Sequence, residues 1–131
     1  MSHIVEAQTS IVQPDLAVLR QAVELVAGQH QGTVEPFYLD YYGKRHPVAS
    51  QLALFTPELK RGLGVVVRET GELVFEGDPW AVQALFQQLQ QEIVQTYVSA
   101  CTKQALEAMG YSTQALDGEH GQIVIRGVAY A

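Results

Sequence analysis

Leu63-Gly-Val-Val-Val-Arg-Glu-Thr-Gly-Glu-Leu-Val-Phe-Glu-Gly77 leads into Asp78-Pro79-Trp80, and then into a run to Met109 that holds neither glycine nor proline. This stretch decides the fold. Leu63 to Val67 is a short apolar run, the mark of a central strand. Glu69-Thr70-Gly71-Glu72 reverses the chain, with Gly71 free to take a positive φ. Leu73, Val74 and Phe75 form the return strand. Asp78 has the side chain of an N-cap, and Pro79 suits the first position of a helix. Leu85, Phe86, Leu89, Ile93, Tyr97, Cys101, Ala105 and Met109 then recur at helical spacing, and Gly110 supplies the stop.

A helix from Trp80 to Met109 would be roughly 45 Å long at 1.5 Å per residue. A compact domain of this length is only about 36 Å across. The helix is therefore expected to bend, with Tyr97 to Cys101 as its weakest part, or to overhang and be covered in a dimer.

Working outward, Ile4 to Val12 has the mixed apolar and polar pattern of a first strand. Pro14 suits the first helical position and Asp15 the first turn. Leu16, Leu19, Val23 and Val26 make one apolar stripe, and Gly28 ends that helix. Gly32 to Tyr42 is β-prone, with Pro36 confining its early part to an edge. Gly43 to Pro47 reads as a turn or loop, and Ser50 to Leu59 as a weak strand or loop, where Leu52, Leu54 and Phe55 suit a short strand or a helical turn ended by Pro57. Tyr111 to Leu116 and Gln122 to Val128 read as a closing hairpin or strand. The order predicts one α+β domain over residues 1–131. Two helices lie on one face of a mainly antiparallel sheet, with a ferredoxin-like sandwich carrying additional strands as the nearest named pattern.

Composition excludes several functions. The net charge is −6 and Lys plus Arg number only eight, so nucleic-acid binding is not expected. A single cysteine, Cys101, allows no internal disulfide and suits a reducing compartment. No secretory leader opens the chain and no apolar run approaches a membrane span, so a cytoplasmic protein is expected.

Met1-Ser2-His3 at the start, the hairpin into Gly77-Asp78-Pro79-Trp80, Gln95-Thr-Tyr97, Gly110-Tyr111 and Gln122-Ile-Val-Ile-Arg126 follow one another in an order that resembles the hypothetical chloroplast reading frame thirty-five family. That family occurs in cyanobacteria, red-algal plastids, some other bacteria and phages. Its domain is of unknown function. The resemblance runs nearly end to end, except that Phe37 to Lys60 departs from the family pattern. It implies a small soluble protein and brings no catalytic residue.

Chemistry is sparse. His3, His30, His46 and His120 show no metal-ligand spacing. Cys101 lies on an apolar stripe, as a core residue does. Gly62-Leu-Gly64 precedes a strand and is no phosphate loop, and no nucleophile elbow is present. Asp78 and Trp80 are explained by capping and packing. The densest polar and aromatic cluster is Tyr38, Asp40, Tyr41, Tyr42, Lys44, Arg45 and His46. Its tyrosines and arginine are the residue types that dominate binding hot spots, which makes it the candidate partner or ligand surface.

The expected function is a non-catalytic binding or assembly module that self-associates, most simply as a dimer, or binds a protein partner, without a cofactor or metal. The alternative is a small-molecule-binding protein or small enzyme with a pocket between sheet and helices near Tyr41, Tyr42 and His46. Nucleic-acid binding through Lys44, Arg45, Lys60 and Arg61 is a third reading, opposed by the acidic total.

Overall fold

Nine strands and two helices follow one another through residues 4–117 and 123–129, which the computed structural model describes, with side chains over 4–111. The chain runs β1 (Val5–Val12), α1 (Leu16–Gln29), β2 (Thr33–Glu35), β3 (Phe37–Leu39), β4 (Arg45–Pro47), β5 (Ala53–Phe55), β6 (Leu63–Val67), β7 (Glu72–Gly77), α2 (Gln83–Ala108), β8 (Tyr111–Asp117) and β9 (Ile123–Ala129). The main sheet has the order β1-β7-β6-β5-β2, and every pairing in it is antiparallel. The α+β class and the mainly antiparallel sheet are as the sequence predicts.

Alternation along the central strands separates two environments. Leu54, Leu63, Val65, Leu73 and Phe75 join Leu19, Val23 and Val26 of α1 and Phe86, Leu89 and Ile93 of α2 in one core, so both helices cover the same face. On the other face, Tyr38 and Val48 pack against Ala53, with Phe55 and Val66 beside them. The β6–β7 hairpin closes as expected, with Gly71 at φ +92° and its N–H donating to the Arg68 carbonyl at 2.8 Å.

Several local expectations are corrected. Asp15 is the N-cap of α1 rather than a first-turn residue. Its backbone is extended, and its carboxylate accepts from the N–H groups of Ala17 and Val18. Pro14 accordingly precedes the cap. The helix passes Gly28 and closes at His30, and the chain turns at Gln31, where φ is +57°. Pro36 splits Gly32–Tyr42 into β2 and β3, which belong to different sheets. Gly43 to Pro47 is not all loop, because Arg45–Pro47 pairs with Phe37–Leu39. Ser50 to Leu59 holds β5, an interior strand between β2 and β6.

The start of α2 also differs. Asp78 does not cap it, and Pro79 is not its first residue. Val82 occupies the cap position without a side-chain hydrogen bond. The chain first makes a turn in which the Val82 N–H donates to the Pro79 carbonyl, and Ala81 adopts φ +68°, a conformation no helix can continue through. From Gln83 the helix is unbroken for 26 residues, about 39 Å, with no interruption at Tyr97 to Cys101. Its buried residues, Phe86, Leu89, Ile93 and Tyr97, all lie in its first four turns. The Tyr97 hydroxyl accepts from the Asp15 N–H at 2.9 Å, tying the two helices together.

The closing hairpin forms as predicted, but β8 and β9 pair only with each other and lie against α2. In a ferredoxin-like sandwich the strand after the second helix returns to the sheet, and here it does not. Among the described residues no helix is long and apolar enough to cross a membrane.

Candidate functional site

Tyr38, Gly64 and Glu76 explain how the β3–β4 hairpin sits on the sheet. Gly64 pairs with Ala53 on one side and Glu76 on the other, so the three line up on the face away from the helices. A Cβ at Gly64 would lie 2.7 Å from the Tyr38 ring, so only glycine lets that ring lie flat there. The buried Tyr38 donates its hydroxyl proton to Glu76 Oε2 at 3.2 Å. Burial, and next the Glu76 carboxylate, push the hydroxyl pKa up to about 12. His46 stacks on Tyr38 with ring centroids 5.1 Å apart, and its Nε2 lies 3.0 Å from Asp40 Oδ2.

Asp40 organises the loop between the two strands. Its Oδ1 accepts from the N–H groups of Tyr42 and Lys44, both at 2.9 Å. The hydrogen bond with His46 does most to hold its carboxyl below the ordinary carboxylate value. Burial opposes the effect, and the N–H groups of Lys44 and Tyr42 reinforce it. The loop is therefore a shaped object, although its tip faces solvent.

Asp78 joins this loop to the approach to α2. It is a buried charged residue, only 3% exposed. Its Oδ2 accepts from the Tyr41 N–H at 2.9 Å, and its Oδ1 from the Trp80 N–H at 3.4 Å. Arg61 reaches the same place from the β5–β6 connection. It donates through Nε to the Asp78 carbonyl at 3.0 Å and through its terminal nitrogen to the Trp80 carbonyl. Its guanidinium carbon lies 5.7 Å from the centre of the Tyr41 ring. Tyr41 meets Tyr42 and Trp80 edge to face at 5.4 and 5.3 Å. All three rings reach solvent: Tyr41 is 47% exposed, Tyr42 87% and Trp80 44%.

The cluster singled out in the sequence therefore divides. Tyr38 and His46 are structural partners at the sheet. Arg45 lies over the Phe37 ring at 4.4 Å and faces solvent, as do Tyr41, Tyr42 and Lys44. Trp80, which the sequence reading assigned to helix packing, joins the exposed group, and half-buried Arg61, which that reading grouped with Lys44 and Arg45 only for nucleic-acid binding, lies beside it. The available signal was the crowding of Lys44, Arg45, Lys60 and Arg61, half of the chain's eight cations, into 18 residues. Arg20 and Arg68 pair with carboxylates, whereas among the described residues none of these four does. Two of the four, Lys60 and Arg61, line a cleft of about 200 Å³ together with Glu58, Trp80, Ala81 and Val82.

The remaining features offer less chemistry. His30 lies 2.8 Å from Glu92, which also accepts from Gln88. Cys101 is half-buried beside the core. His3 and His120 lie outside the described residues. A groove of about 380 Å³ between β1 and α2 is walled by Gln8, Gln90, Gln91 and Gln95 with Thr9, Ser10, Phe75 and Val94, and no titratable side chain lines it. Among the described residues, no three of His, Cys, Asp and Glu come together as metal ligands would. Comparison with models of known protein families, with curated proteins and with solved structures finds no match in any of the three.

Proposed function

We propose that the chain is a non-catalytic binding module that engages a protein partner through the Tyr41–Arg45 loop together with Arg61 and Trp80. One observation carries the reading: Tyr41 and Trp80 are held at the surface by the buried carboxylate of Asp78 and the backbone contacts of Arg61, with Tyr42 edge to face against Tyr41. Aromatic and arginine side chains fixed before binding lose little entropy on association, which is the usual character of hot spots. The polar groups beneath them are already committed to one another. The Tyr38 hydroxyl stays protonated at neutral pH, and His46 is stacked and hydrogen-bonded. Membership of the family that the motif order resembles is part of the same proposal.

Tyr42 gives a clean test because it is almost fully exposed. Tyr42→Asp should leave stability within about 0.5 kcal/mol while abolishing cross-linking to the partner that wild type captures. A partner captured equally by both proteins would defeat the reading.

Self-association is a second reading. Its support is the part of α2 beyond Tyr97, which buries no side chain and leaves Val98 47% exposed. The β8–β9 hairpin already lies against α2, so the chain supplies part of the cover itself. Light scattering across a range of concentrations decides it: a constant monomer mass removes this reading.

A further inference from the structure

Resting on the binding-module reading, we infer that the cleft between Lys60, Arg61 and Trp80 receives an acidic peptide segment that carries an apolar anchor residue. Charge gives the first argument. The protein is acidic overall, yet two of its cations, Lys60 and Arg61, line this cleft and lack carboxylate partners among the described residues. Glu58 is the one acidic group in the lining, against Lys60 and Arg61. Such an arrangement complements carboxylates and repels a basic segment.

The walls give the second. Trp80, Ala81 and Val82 contribute apolar surface beside the two cations, in a space of about 200 Å³. A bare anion would leave that surface uncovered, whereas a leucine-sized side chain flanked by carboxylates uses both halves. The third argument is order. The Asp78 and Trp80 carbonyls hold the Arg61 guanidinium, and Asp78 holds Tyr41, so the site exists before a ligand arrives. Single-stranded nucleic acid fits less well. It needs open ring faces for stacking, and Tyr41 is hemmed in by Tyr42, Trp80 and Arg61.

Trp80 is the only tryptophan in the chain, so its fluorescence reports on this cleft alone. The probes are a short acetylated peptide of Glu and Leu, its counterpart with Gln for Glu, and oligothymidylate. The Glu and Leu peptide should give a saturable change that weakens about tenfold in the exposed-site variant Lys60→Glu and weakens with added salt. Arg61 supports the local backbone, so its variants are not the test; Glu58→Gln is the second variant and should tighten binding, because it removes the one acidic group of the lining. An equal response to the Gln peptide, unchanged binding by Lys60→Glu, or a response to oligothymidylate alone overturns the inference. If the acidic peptide fails while Tyr42→Asp still abolishes partner capture, acidic recognition falls and the binding module stands. If both fail, both fall.

Discussion

The carboxylate of Asp78 and the backbone N–H of Tyr41 meet at 2.9 Å across 37 residues of sequence. This bond fastens the tip of the β3–β4 hairpin to the approach to α2, and it satisfies a charge that is almost wholly buried. Asp78→Ala leaves the Tyr41 and Trp80 donors without their acceptor, at a cost of about 1–3 kcal/mol. Asp78→Asn keeps an amide oxygen and should cost less. Urea denaturation measures both, and Trp80 fluorescence reports whether the aromatic group has come apart. A wild-type urea midpoint for Asp78→Ala would show that the bond holds nothing in place.

Tyr38 predicts a loss of stability in base. Its hydroxyl pKa rises from the ordinary value of 10.0 to about 12, so the folded protein keeps a proton that the unfolded chain releases. The stability this contributes is complete below pH 10 and disappears as pH rises through 12. Tyr38→Phe removes the titrating group. The decline in urea midpoint between about pH 9 and 11.5 should therefore be shallower in the variant than in wild type. Parallel declines would mean that Tyr38 does not govern this range.

Asp40 acts at the other end of the scale. Its pKa is held down chiefly by His46, with help from the N–H groups of Lys44 and Tyr42. The unfolded chain takes up this proton first as pH falls. The stabilisation is therefore present above the ordinary carboxylate value, about 3.9, and is lost as pH drops through the depressed one. Asp40→Ala should lower stability at neutral pH and flatten its acid dependence below the ordinary carboxylate value. Acid unfolding followed by circular dichroism tests this. A variant with an acid limb as steep as wild type would place the sensitivity in another carboxylate.

Local patterns carried much of the fold. Leu63 to Val67, Gly71 and the periodic residues after Trp80 each act within a few residues of themselves, so β6, its hairpin and the body of α2 could be read directly. β5 was obscure because Leu52, Leu54 and Phe55, a short apolar run just before Pro57, look alike as a strand or a helical turn. Asp78-Pro79 misled for a different reason. Its local chemistry suits a cap, but the carboxylate is taken by Tyr41, and Ala81 turns the chain aside before the helix begins. The candidate site divides in the same way. Tyr41, Tyr42, Lys44 and Arg45 are neighbours in sequence and were visible together. Arg61 and Trp80 reach them only through the pairing of β5, β6 and β7, which no local pattern encodes.

The two halves of α2 should respond differently to truncation. Ile93 is fully buried between the helices and the sheet, so Ile93→Ala removes apolar atoms from a packed core and leaves a cavity. The expected cost is about 2–5 kcal/mol. Val98, the residue after Tyr97, is 47% exposed, and Val98→Ala should fall within about 0.5 kcal/mol of wild type. Urea midpoints at low protein concentration measure both. Repeating them at high concentration adds information about assembly, because a self-association interface stabilises the folded state by mass action. If α2 beyond Tyr97 is such an interface, the wild-type midpoint rises with concentration and that of Val98→Ala rises less. If neither midpoint moves, the exposed end of α2 is covered by nothing but the chain's own β8–β9 hairpin, and its length serves to carry that hairpin away from the main sheet.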